Sequence, residues 1–314
     1  MASRNNLVGS KTLSMVALIL LSLARLSVGE RRELQLEQIP PTDELSFHGG
    51  AVLHGDISVY IIWYGNFKAE QKAIVVDFIE SLTSKPAAST PSVAQWWNTI
   101  YKVYLSNATA GGDTRFLLAN QVADEQYSLG KSLTLLQVFQ LAAGALPKKG
   151  ALALVLTDPG VVVEGFCSVR CGLHGADAGA GYAYAWAGDA ASQCPGQCAW
   201  PFARPSYGPQ DKPLGAPNGD VGVDGMMVTL ASMVAGAVTN PFRDAYYQGE
   251  KDAALEASTA CAGVYGSGSY PGYAGNVPVD KATGSSYNAI GAGGHKYLLP
   301  AVYDPAKPGC STLV

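Results

Sequence analysis

Along the first two thirds of the chain, unbroken apolar runs alternate with runs of helical period. ISVYIIWYG at 57–65 is β-branched and aromatic and stops at a glycine, which predicts a buried strand. In the following AEQKAIVVDFIESLTS, Ala73, Ile74, Val76, Phe78, Ile79 and Leu82 recur at helical spacing, so a helix packed on that strand is expected. KPAASTP at 85–91 reads as a loop, and Ser92 can cap the next helix, SVAQWWNTIYKVY, on which Trp96 and Trp97 fall. Residues 115–123 predict a strand and 132–145 a helix; ALALVLTD at 151–158 predicts a fully buried strand stopped by Pro159-Gly160. GYAYAW at 181–186 predicts one more. Such alternation implies an α/β to α+β fold, a mixed sheet with packed helices.

A Pro-rich segment at 195–217 leads into VDGMMVTLASMVAGAVTNPF, 223–242, which reads as a buried amphipathic helix ending at Asn240-Pro241. Val223, Met226, Met227, Leu230, Val234, Ala237 and Val238 form one apolar stripe, while Gly225, Thr229, Ser232 and Gly236 share the opposite side. Small residues there let another segment approach closely. Beyond 246 Gly, Tyr, Ser and Pro dominate, and irregular, well-packed loops are expected. No internal repeat and no convincing linker divides the chain after its N-terminus, so a single domain is expected over 47–314.

The N-terminus changes the compartment. Arg4 and Lys11 precede an apolar run over 13–26, and Ser27-Val28-Gly29 supplies small residues at a cleavage site, which predicts a secretory signal peptide over 1–29 and a lead segment over 30–46. No later segment reads as long and apolar enough to cross a bilayer. The expected location is therefore extracellular. The chain has 314 residues, only 15% of them charged, and a formal net charge of -4, which argues against a nucleic-acid partner. Six Cys, an even number in an exported chain, read as up to three disulfides, and Asn107-Ala108-Thr109 is an N-glycosylation sequon.

Candidate chemistry is densest in GFCSVRCGLHG, 165–175, and QCPGQCAWP, 193–201. Cys167, Cys171, Cys194 and Cys198 with His174 nearby have residue types that bind zinc, but in an oxidising compartment the four pair more simply with one another, and Cys261 with Cys310. Six Cys allow fifteen pairings, and the connectivity stays open. His174, between glycines, is the best single candidate for a functional side chain, against a plainer role bonded to loop backbone. His48, His54 and His295 also stand at or near glycines. Asp220 and Asp224 suit acid/base or Ca2+ chemistry, or simply the dipole at a helix N-terminus. Tyr265, Tyr270, Tyr273, Tyr287, Tyr297 and Tyr303 can stack on sugar rings or pack loops.

SVYIIWYGNFKAEQKAIVVDFIESL, VEGFCSVRCGLHG, QCPGQCAWPF, PNGDVGVDGMMVTLASMVAGAVTNPF, YPGYAGN and KYLLPAVYDP together resemble the Exordium family of plants, also called the phosphate-induced protein 1 family. That resemblance spans 47–314; the lead before Phe47 looks unlike close family members. It implies an apoplastic protein linked to cell expansion, brassinosteroid-responsive growth and adaptation to low carbon, with no established catalytic activity. AGAVTNP at 235–241 is in turn similar to the end of an H-E-x-x-E/H-A-V-T-D/N-P helix of some secreted zinc-peptidase-like proteins. On that pattern the ligand positions are Ser232 and Gly236 and the base position is Met233, none of which serves zinc chemistry. A zincin-like scaffold without metal or other cofactor is the resulting expectation. The leading functional reading is a secreted binder of a wall component, receptor or peptide; the alternatives are an extracellular hydrolase using His174 with Asp220 or Asp224, and a structural wall protein bound through its Tyr-rich loops.

Overall fold

The computed structural model describes residues 44–84, 91–106, 113–208 and 210–314. The segments read as a signal peptide, 1–29, and as nearly all of the lead, with the expected loop at 85–90 and the sequon Asn107, lie outside the described residues. Nine elements matter for function: β1 (Asp56–Tyr64), α1 (Ala69–Leu82), α2 (Val93–Ile100), β2 (Arg115–Asp124), α3 (Leu135–Gly144), β3 (Leu152–Thr157), β4 (Gly172–Asp177), β5 (Tyr182–Gly188) and α4 (Val221–Thr239). β1 pairs in parallel with both β2 and β3, β3 in parallel with β5, and β4 antiparallel with β5, so the sheet runs β2-β1-β3-β5-β4. It is mixed, with helices packed on it.

Strand alternation divides the core between two faces. Val59, Ile61 and Trp63 of β1, with Leu152, Leu154 and Leu156 of β3, join the core built with α1, α2 and α4. Ile62, Tyr64, Ala153 and Val155 join Val138 and Ala142 of α3 in the other core. β5 shows the division most plainly: Trp186 belongs to the α3 core, while Ala183, Ala185 and Ala187 join the α4 core. An alanine floor removes side-chain bulk from that face, which lets the glycine-bearing α4 lie close to it.

Several elements differ from expectation in bounds or nature. The helix expected over 132–145 begins only at Leu135, because Ser132–Leu133 pairs with Val162–Val163 and Thr134 caps the helix reciprocally with Gln137. Ser92 caps α2 with Gln95, but beyond Ile100 the helix continues as π-helical Tyr101–Leu105. β4 was not among the expected strands; its glycines and histidine have low strand propensity, and pairing with β5 imposes the extended backbone.

α4 departs furthest. It starts at Val221 with Asp220 as its cap, and burial extends further round it than a single apolar stripe, Gly225 and Gly236 included, in keeping with the close packing expected on the small-residue side. Contrary to expectation, Val221–Thr239 is long and apolar enough to cross a bilayer. It is instead a core helix of this fold, with Met226, Leu230 and Val234 at 0% exposure.

The residues beyond 246 contain, among those described, no strand longer than two residues. Point contacts hold them to the α/β half. Asn288 donates to the carbonyls of Tyr265 and Leu299 and accepts from Leu299 N, at 2.9, 2.7 and 2.7 Å. Buried Asp77 of α1 receives the Tyr297 hydroxyl at 3.0 Å and lies 3.2 Å from His295 Nδ1. Trp96 Nε1 donates to Pro300 O at 2.8 Å, and Cys261 is bonded to Cys310.

Candidate functional site

Neighbours occupy the small-residue side of α4. A Cβ on Gly225 would lie 2.5 Å from Ala199 Cα, so only glycine admits the segment after Cys198. A Cβ on Gly172 of β4 would meet Thr229 Cγ2 at 2.6 Å and Met233 Cγ at 3.3 Å, which seats the edge strand on the same helix. Ser232 turns its hydroxyl back to Val228 O at 3.2 Å. At Gly236 the neighbours are ionisable: an added Cβ would stand 2.4 Å from Glu256 Oε2 and 2.7 Å from His174 Nε2.

His174 reaches that point because period two on β4 turns it to the same face as Gly172. Glu256 arrives from the loop-rich tail, its backbone N–H held by Thr259 Oγ1 at 2.7 Å. His174 Nε2 and Glu256 Oε2 are 2.6 Å apart, and Asn240, capping the C-terminal end of α4, donates Nδ2 to Glu256 Oε1 at 2.7 Å. The pair is buried, with His174 at 9% and Glu256 at 6% exposure. His174 Nδ1 is buried without a hydrogen-bond partner. Above it opens a cleft of about 420 Å³ whose walls include Arg170, Arg243, Lys251 and Asp252. The arrangement offers a proton-transfer pair and a cationic rim. Sequence reasoning found His174 and missed Glu256, which lies 82 residues away in a stretch without a motif.

The structure does not bring Asp220 or Asp224 to His174. Asp220 caps α4, accepting from Val223 N at 3.1 Å and from Gln71 Nε2 at 2.8 Å. Gly236 is sixteen residues further along, about 24 Å at 1.5 Å per residue. Asp224 is buried and receives both Asn218 N and Asn218 Nδ2, at 2.8 and 2.7 Å. Burial pushes its carboxyl up to about 6. Asp189, following β5, is also pushed up to about 6, by burial first and then by Asp220 and Asp158 nearby. The remaining histidines are scattered: His48 stacks on Tyr247, His54 is exposed and His295 pairs with Asp77.

All six cysteines are consumed in Cys167–Cys194, Cys171–Cys198 and Cys261–Cys310, which removes the thiolates a zinc site at the four clustered cysteines would need. Among the described residues no three His, Cys, Asp or Glu side chains converge as a metal-holding group.

A second cleft, of about 670 Å³, lies beside the Pro195–Cys198 turn. Trp200, Tyr207 and Tyr270 line it with Gln197 and Ser269, and among the described residues no carboxylate, histidine, lysine or arginine does. Tyr207 is 86% and Tyr270 61% exposed, an unusual degree for aromatic rings. Tyr265 and Tyr297 are buried packing groups instead.

Comparison with known proteins agrees with the resemblance carried by the motifs. The family model described as the phosphate-induced protein 1 conserved region matches residues 45–313. The chain is 52% identical over 305 residues to Protein PHOSPHATE-INDUCED 1 of Nicotiana tabacum, covering 94% of this chain and 96% of that protein. Protein EXORDIUM of Arabidopsis thaliana is 50% identical over 307 residues, covering 94% and 97% respectively. Protein EXORDIUM-like 1 of Arabidopsis thaliana is 52% identical over 276 residues, covering 85% and 89%. No solved structure matches.

Proposed function

The chain belongs to the phosphate-induced protein 1 family, and from that premise we propose a secreted, apoplastic protein of plant growth control that acts by binding a neutral wall polysaccharide. Three disulfides accord with an extracellular site. The observation that carries the binding reading is the aromatic cleft. Exposed rings stack on the C–H faces of sugars, Gln197 and Ser269 supply neutral hydrogen bonds, and among the described residues no carboxylate, histidine, lysine or arginine lines it. Titrating xyloglucan and cello-oligosaccharides into the protein tests this. Tyr207→Ala and Tyr270→Ala, both on exposed side chains, are expected to weaken binding about tenfold together, on the scale of about 1–3 kcal/mol for an aromatic stacking platform. Unchanged binding in the double variant, or no binding by the parent, would sink the reading.

The degenerate zincin scaffold belongs to the same proposal. It is supported by Gly236, a ligand position in that pattern, packing directly against His174 and Glu256. A second reading, an extracellular hydrolase of a wall polymer, is favoured by the pairing of His174 with a carboxylate beside the cationic-rimmed cleft, the partner being Glu256 and not Asp220 or Asp224. Release of reducing ends from wall polymers, abolished by Glu256→Gln, would establish it; release at the same rate in the variant would remove it.

A further inference from the structure

The cleft at His174 has a chemistry opposite to the aromatic one. Arg170, Arg243 and Lys251 line it, and among the described residues none of the three is in an ion pair. Arg243 holds a left-handed backbone, φ 60°, which a non-glycine residue adopts at a cost. The anions of the wall are Asp252 and Glu256, and Glu256 is already engaged at both oxygens, by Asn240 and by His174. His174 Nδ1 is the unspent polar atom, nine-tenths buried and without a partner on a residue that lines the cleft. An unmet buried nitrogen of that kind is costly unless something fills the place.

We propose that this cleft is a binding site for a sugar acid, its carboxylate gripped by Arg243 and Lys251 at the rim and one of its hydroxyls donating to His174 Nδ1, the acceptor nitrogen left when Nε2–H is given to Glu256. Three cations against two carboxylates leave one net positive charge among the ionised wall groups, which matches a monovalent carboxylate and not a divalent phosphate. A guanidinium holds a carboxylate through two parallel hydrogen bonds, which gives orientation as well as attraction. The volume, about 420 Å³, admits one sugar ring with room for a second to leave through the mouth.

The experiment is calorimetric titration of the full mature chain with galacturonate, with its trimer, and with a neutral galactose trimer. Binding of the acid sugars but not the neutral one, weakened by salt, is expected. Arg243→Gln and Lys251→Gln, both on exposed residues, are each expected to weaken it about tenfold, the scale of one charge-assisted contact, while leaving the melting temperature unchanged. Binding of monomer and trimer alike makes a free sugar acid sufficient; binding of the trimer alone makes the source a polymer, and both results support the site. Equal binding of the neutral trimer, no binding of either acid, or full affinity in both variants would overturn it, as would inorganic phosphate binding more tightly than galacturonate. The Tyr207→Ala, Tyr270→Ala protein is expected to bind galacturonate normally, which separates this site from the aromatic cleft.

Discussion

The α/β half and the loop-rich tail are ordered by different means. Between β1 and α4 every strand of the sheet is held by a ladder, and the loss of any one hydrogen bond is shared among neighbours. Beyond 246 the chain has almost no ladder, and buried polar side chains take its place: Asn288 bridges two loops, Asp77 reaches out of α1 to receive a third, and one disulfide closes the rest. A ladder tolerates sequence change; a single anchor does not. Gly236 is one of the places where the two meet, a helix of one half touching Glu256 of the other.

The largest way to break this contrast is to remove the Cys261–Cys310 bond, which closes a separation of 49 residues. Replacing both by Ser is expected to cost about 4 kcal/mol by the chain-entropy relation. Hydrogen exchange is expected to rise across the tail while the β1 and β3 amides stay protected; loss of protection in the sheet at the same rate would show one cooperative unit instead. Asn288→Ala comes next. It leaves two buried carbonyls and one N–H without partners and is expected to cost about 3 kcal/mol, read as a lower urea midpoint.

A pH experiment sharpens the contrast, because Asp189 and Asp224 both sit in the α/β half. Each is raised by burial from 3.8 to about 6. The folded carboxyls therefore hold protons over a window in which the unfolded ones have released them, so stability falls as pH rises from about 4 to 6, by up to about 3 kcal/mol per group. Asp189→Asn, whose side-chain oxygen still accepts from Ala191 N, is expected to raise the melting temperature at pH 7 and to leave it unchanged near pH 4. An equal slope in parent and variant would remove Asp189 from the account. The smallest effect is expected at the junction: Gly236→Ala crowds Glu256 and His174 and is expected to cost about 2 kcal/mol. A silent substitution would mean that the tail yields there without consequence.

Much of the sheet was readable from sequence because its signals are local. β1 and β3 are uninterrupted apolar runs, and β5 alternates aromatic with alanine in the order its two faces require. β4 was not readable, since Gly-Leu-His-Gly carries no strand preference and becomes extended only against β5. At the candidate site the helix face was legible as a row of small residues, and His174 as a residue between glycines. Glu256 was not: it stands in ordinary tail sequence and is picked out only by lying 2.6 Å from His174.

The sequence by itself determined the family through long motifs, the α/β alternation through the period of its apolar positions, and the absence of zinc ligands at Ser232, Met233 and Gly236 through residue type. Such facts need only neighbours along the chain. Tertiary structure decided which cysteines pair, that α4 is buried on nearly every side, and that its bare end faces a histidine and a glutamate. Those outcomes depend on residues tens of positions apart being brought within hydrogen-bond range, and no local pattern encodes that approach.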